Sequence, residues 1–144
     1  MIAEDILREK AKTYLVCYQD QCPLHSHCLR WQAAQYVPDR LFSVRCVNPK
    51  YQGCATEACP AYRSDQPQRI PVGMVNFYNA MTGKMERAIK GQLIERFSRV
   101  VYYQYRRGER DITPAIEQEI ARICQECGWT AAPQYDGYTE KLIW

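Results

Sequence analysis

Cys17-Tyr18-Gln19-Asp20-Gln21-Cys22-Pro23-Leu24-His25-Ser26-His27-Cys28, closed at a distance by Cys59-Pro60, is the stretch that organises this chain. Three cysteines in one short segment and a fourth in a second loop supply four soft thiolate donors that converge without a rigid frame. A tetrahedral metal site needs that donor set. Cys17, Cys22, Cys28 and Cys59 are therefore the expected ligands and zinc the expected metal. The gaps of four and five residues are wider than in common structural-zinc knuckles. A cysteine followed by proline also closes some iron–sulfur sites, which keeps a cluster as the alternative.

The other donors are weighed against this set. His25 and His27 lie between the second and third cysteines and read as neighbours of the site more than as ligands. Cys54 stands five residues before Cys59 and competes for a coordination position, but both it and Cys46 are placed outside the site. Cys124 and Cys127 form a CxxC at the C-terminal end of a helix. The dipole there disfavours a thiolate, so helix packing accounts for them better than redox catalysis does.

Working outward, residues 3–14 carry Ile6 and Leu7 among charges at helical spacing and predict a short amphipathic helix. Pro23, Pro38, Pro49 and Pro60 break up the region to Arg63, leaving a helical stretch near His27–Tyr36 and one alternating strand over Leu41–Val47. Ser64-Asp65-Gln66-Pro67-Gln68 is a polar connector. Beyond it Pro71 suits the first turn of a helix with Met74, Phe77, Tyr78 and Met81 on its apolar face. A second helix follows over Lys84–Phe97. Ser98 caps a third, Arg99–Arg107, which Gly108 ends. The last helix has Thr113 at its cap, Pro114 at its first position, Ile116, Ile120 and Ile123 on one face, and Gly128 after its end. The fold class expected is mainly α, with a loop-rich, metal-stabilised N-terminal half and at most one or two short strands. Residues 1–144 read as a single domain: a metal-knuckle half (1–63), a helical half (68–128) and an aromatic tail (129–144) that packs back.

Composition bounds the function. The 144 residues hold 11 tyrosines and eight cysteines within a 47% apolar total, which points to an aromatic core of modest size. Glu4 and Asp5 occupy the place where a secretory signal needs basic residues, and no apolar run reaches the roughly 18 residues of a membrane span. The expectation is a cytoplasmic chain with no membrane partner, in which reduced cysteines bind metal and do not pair. Net charge is +3, but residues 84–110 carry eight Lys or Arg against three Glu, a local +5. Within that segment, residues 93–110 partly resemble the second half of a helix-turn-helix. Arg99, Gln104, Arg106, Arg107 and Arg110 have the chemistry to meet phosphates or base edges. The small residue and the glycine that such a motif prefers near Gln92 and Arg96 are absent, and Tyr102 is a further misfit.

The run Cys17-x4-Cys22-Pro23-x4-Cys28-Leu29-Arg30, with Val47-Asn48-Pro49, Cys59-Pro60-x-x-Arg63-Ser64-Asp65, Tyr102-Tyr103 and Arg107, resembles a small bacterial family catalogued as a domain of unknown function. Its cysteine motif falls on Cys17, Cys22, Cys28 and Cys59. The resemblance implies no activity. The functional expectation is a metal-stabilised nucleic-acid-binding or regulatory module. The alternatives are a protein-interaction adaptor and an iron–sulfur redox or iron sensor. No phosphate-binding glycine loop, nucleophile elbow or HExxH argues for an enzyme.

Overall fold

The computed structural model describes residues 2–144 as a mainly α chain with few strands: five α-helices, one 3-10 turn and a two-stranded sheet. Contacts divide it into two compact units, Met1–Pro67 with Leu142–Trp144, and Gln68–Lys141. The division falls in the polar connector.

In the first unit, α1 (Glu4–Ala11) has Glu4 and Asp5 in its first turn and Arg8 and Lys10 in its last, the arrangement that the helix dipole favours. Leu7 and Ala11 are its buried residues. They face a small core with Val16, Ala33 and Ala34, against which Tyr14, Tyr36 and Trp144 pack. Tyr14 and Trp144 meet edge to face at 5.5 Å. The 3-10 turn His25–His27 leads through Cys28 into α2 (Leu29–Ala34). Single bridges hold the remaining loops: Val16 pairs with Cys46 and Cys28 with Ser64.

The strand expected over Leu41–Val47 does not form. Only Cys46 bridges to a neighbour, and Leu41, Phe42 and Val44 are exposed. Alternation along a chain makes a strand only where a partner takes up its hydrogen bonds and its apolar face.

In the second unit, β1 (Gln68–Val72) pairs antiparallel with β2 (Gly137–Lys141), with Ile70 opposite Thr139 and Pro71 opposite Tyr138. Pro71 thus sits in a strand, and no helix runs through Met74–Met81. A two-stranded ribbon leaves one side of each strand outside the ladder, where a residue without N–H is tolerated. Met74, Phe77 and Tyr78 are nonetheless buried. They reach the core from successive turns. Gly73, at φ 79°, lets the chain leave β1, and the Asp136 carboxylate accepts the amides of Val75 at 2.9 Å and Asn76 at 2.7 Å.

The helices follow their sequence signals. In α3 (Gly83–Phe97), the Thr82 side chain accepts from the Met85 amide, and Ile89 and Leu93 are buried. Ser98 accepts from the Val101 amide and caps α4 (Arg99–Arg106), which Gly108 terminates at φ 74°. Thr113 accepts from the Ile116 amide at the start of α5 (Pro114–Glu126), and Gly128 follows its end at φ 95°. Ile120, Ile123 and Cys124 join Tyr102 and Tyr105 of α4 in the core. Within the second unit Tyr135 packs against Phe77 and β2 pairs with β1; within the first, Trp144 packs on the small core.

Candidate metal centre and basic helical face

All four expected ligands reach one cavity in the first unit. Cys17, Cys22, Cys28 and Cys59 line a space of about 20 Å³, together with His25, Trp31 and the backbone turn at Ala55. A water-sized occupant needs about 10–15 Å³ on the same measure. The cavity therefore has room for an occupant the size of one water. Among the described residues no group of three or more His, Cys, Asp or Glu side chains is drawn in tightly enough to hold an ion as placed.

Local folding brings the thiols together. The Cys22 carbonyl accepts from the His25 amide and the His25 carbonyl from the Cys28 amide, so Cys22 and Cys28 are joined by two consecutive turns. The Cys17 amide donates to the Arg30 carbonyl, and the Leu29 amide to the Arg63 carbonyl, which fixes the Cys17 and Cys59 loops on either side of α2. Arg30 completes the frame. At 8% exposure it is the buried charged residue of the described chain, donating from Nε to the Ala61 carbonyl at 2.7 Å and from Nη1 to the Leu15 carbonyl at 2.9 Å. Burial pulls its pKa below the ordinary value, while Tyr14 first, and then Cys28 and Cys17, push the other way. A guanidinium remains charged under such shifts and offsets negative charge collected on the sulfurs.

The electrostatics of the sulfurs are those of donors crowded together. Burial raises the Cys17 thiol, and Cys54, Cys28 and Cys22 raise it further, while a backbone amide bond from Gln19 lowers it. Cys54 is raised by burial and by Cys59 and Cys22, against an amide bond from Ala55. Amide N–H groups aimed at sulfur favour the thiolate, and a bound cation removes the mutual repulsion. Clustered sulfur donors are the ligand type that a soft divalent cation takes.

Cys54 does not line the cavity, although its thiol lies near enough to Cys17, Cys22 and Cys59 to share their electrostatics. It sits between two residues of positive φ, Gly53 at 88° and Ala55 at 60°, a turn whose shape no periodicity announces. Cys46 is exposed and lies outside the cavity. His25 donates from Nδ1 to the Cys22 carbonyl at 2.7 Å and stacks edge-on against Trp31. His27 is exposed, 3.3 Å from Asp65. Cys124 is 1% exposed in the core of the second unit, and burial, followed by neighbouring Cys127, pushes its thiol up to about 11.

The five residues expected on the basic face separate into two groups. The Arg107 guanidinium forks onto Glu109 at 2.8 and 3.0 Å, and Arg110 donates to the Gln104 side chain at 2.9 Å. Arg99 and Arg106 have no carboxylate partner among the described residues, and both act on Tyr103 of the same helix. Lys90 of α3 joins them, 5.5 Å from the Tyr103 ring centre. Interaction with Lys90, then the charges of Arg99 and Arg106, hold the Tyr103 hydroxyl below its ordinary pKa. Lys90 and Tyr103 are the residues that sequence reading missed here. α3 and α4 are separated by Ser98 alone, whereas a helix-turn-helix uses a turn of three to four residues.

These features define a small, mainly α protein with a cysteine-lined cavity in one unit and a cationic helix pair in the other. The chain belongs to the family of unknown function DUF6078, whose model matches residues 1–144. The resemblance carried by the cysteine motif thus holds over the full length. Searches of curated proteins and of solved structures find no match to the chain.

Proposed function

We propose that the protein is a zinc-stabilised nucleic-acid-binding module. The small cavity lined by Cys17, Cys22, Cys28 and Cys59 carries this reading. Three short loops and a two-turn helix have little apolar surface to bury, and a tetrathiolate metal supplies folding free energy where a core of that size does not. The spacing of Cys17, Cys22 and Cys28, which is not that of a ferredoxin-type cluster motif, favours zinc over an iron–sulfur cluster. The second unit provides the functional surface. Lys90, Arg99 and Arg106 are cations without carboxylate partners among the described residues, the residue types that neutralise phosphates.

A titration of labelled single-stranded and duplex oligonucleotides at about 50 and 200 mM salt tests the functional half. Binding that weakens steeply with salt, and is lost when Lys90, Arg99 and Arg106 are replaced by Ala, supports it. No binding by the zinc-loaded protein at either salt contradicts it. A second reading, a protein-interaction adaptor, is favoured by Phe42, whose side chain is fully exposed beside exposed Leu41 and Val44. A stable protein partner lost on Phe42→Ser, with no nucleic-acid binding, would select that reading.

A further inference from the structure

We propose that Lys90, Arg99, Tyr103 and Arg106 form one phosphate site between α3 and α4 that takes the backbone of a single nucleic-acid strand. The inference rests on the nucleic-acid reading above and narrows it to a site and a substrate class. Arg99, Tyr103 and Arg106 stand at i, i+4 and i+7 of α4 and so share a face, which flanks the face buried through Tyr102 and Tyr105. Lys90 brings an ammonium from α3 to the same phenol. Neighbouring cations are engaged within the chain: Arg96 with Glu119, Arg122 with Glu119 and Glu126, and Arg107 with Glu109. The three around Tyr103 make no ion pair among the described residues; Lys90 and Arg106 instead meet the rings of Tyr103 and Tyr78 at 5.5 and 6.0 Å, and gathering the three on one face costs like-charge repulsion.

Gly91 supports the same assignment independently. It is exposed in the interior of α3, next to Lys90, and a Cβ there would meet nothing within 4 Å. Glycine at such a position costs about 1 kcal/mol relative to alanine. Packing does not require it. A bare helix position one residue from Lys90 leaves backbone open to close approach of another chain.

A single strand suits the site better than a duplex groove. The one-residue junction at Ser98 does not present α4 as a helix-turn-helix does. Gln104 and Arg107, the side chains with base-reading chemistry, are tied to Arg110 and Glu109. Tyr103, half-buried among cations, offers a ring on which an unpaired base can stack while the cations hold its phosphates.

The test is fluorescence anisotropy of the zinc-loaded full chain with a labelled oligothymidylate and with a duplex of the same length. The expected result is tighter binding of the single strand, weakened about tenfold or more in Lys90→Ala/Arg99→Ala, with the slope of log K on log salt shallower by about 1.4. Arg107→Ala/Arg110→Ala should stay within about twofold of wild type, because it removes cations outside the site. Gly91→Leu should weaken binding while raising the melting temperature, a pair of changes that general destabilisation does not produce. Duplex preference, or loss in Arg107→Ala/Arg110→Ala with Lys90→Ala/Arg99→Ala unaffected, leaves the nucleic-acid reading standing and overturns this site. Binding of neither probe by folded protein overturns both.

Discussion

The guanidinium of Arg30 donates from Nε to the Ala61 carbonyl at 2.7 Å. With its second bond to Leu15, it ties the chain two residues after Cys59 to the chain two residues before Cys17, from a position two residues after Cys28. One buried side chain thus sets the spacing of three cysteine segments. Arg30→Lys keeps the charge but replaces the fork by a single point donor. It should destabilise the protein by about 2 kcal/mol, through a carbonyl left without a donor, and speed the loss of zinc to a chelator. Urea unfolding and a chelator competition read both; equal metal retention in the variant would show that Arg30 does not frame the site.

Tyr78 and Tyr102 bond hydroxyl to hydroxyl at 2.8 Å in the core of the second unit, where they are 5% and 1% exposed. Either Phe replacement leaves the other hydroxyl buried without that partner, at about 1–2 kcal/mol. The double replacement removes both and should cost no more than one single. A double-mutant cycle by chemical denaturation checks this, and additive losses would contradict it.

Cys124 gives a pH dependence. Its folded thiol is raised by burial, then by Cys127, to about 11, whereas an unfolded cysteine ionises near its ordinary value of 9.0. The neutral thiol is thus favoured by folding: the stabilisation is complete below about pH 9 and is lost as pH rises from there through about 11. Stability measured across that window should fall, and fall less in Cys124→Ala. At neutral pH, alkylation of the native protein should spare Cys124, and rapid labelling there would refute the burial argument.

Gly73 and Asp136 form a tight pair: a Cβ on Gly73 would lie 2.5 Å from Asp136 Oδ2, and the position has φ 79°. Gly73→Ala should therefore cost about 2 kcal/mol, from the left-handed conformation and from displacing the carboxylate that holds the Val75 and Asn76 amides. A melt of the variant reads this, and an unchanged melting temperature would contradict it.

What was legible in the sequence depended on whether its cause was local. Thr113-Pro114 and Gly128 delimit α5 because cap and terminator act through neighbouring backbone. Ser98 and Gly108 do the same for α4. Pro71 was misleading for a related reason: proline fits a first helical turn and an open strand side equally, and the deciding partner, Tyr138, lies far along the chain. Leu41–Val47 alternated without a partner to pair with. The crowding of Cys17, Cys22 and Cys28 was readable from spacing, but the approach of Cys54 depends on a turn through Gly53 and Ala55, and the role of Arg30 on carbonyls at Leu15 and Ala61. Lys90 and Tyr103 meet only because α3 and α4 pack side by side.

The cavity among Cys17, Cys22, Cys28 and Cys59 is the centre of this account, and metal content tests it most directly. Protein purified without oxygen should carry about one zinc per chain with no visible absorbance, and Cys22→Ser should lose it, together with much of the first unit's stability. Iron with a visible spectrum would replace zinc by a cluster; a wild-type chain that folds and takes up no metal would contradict the central claim.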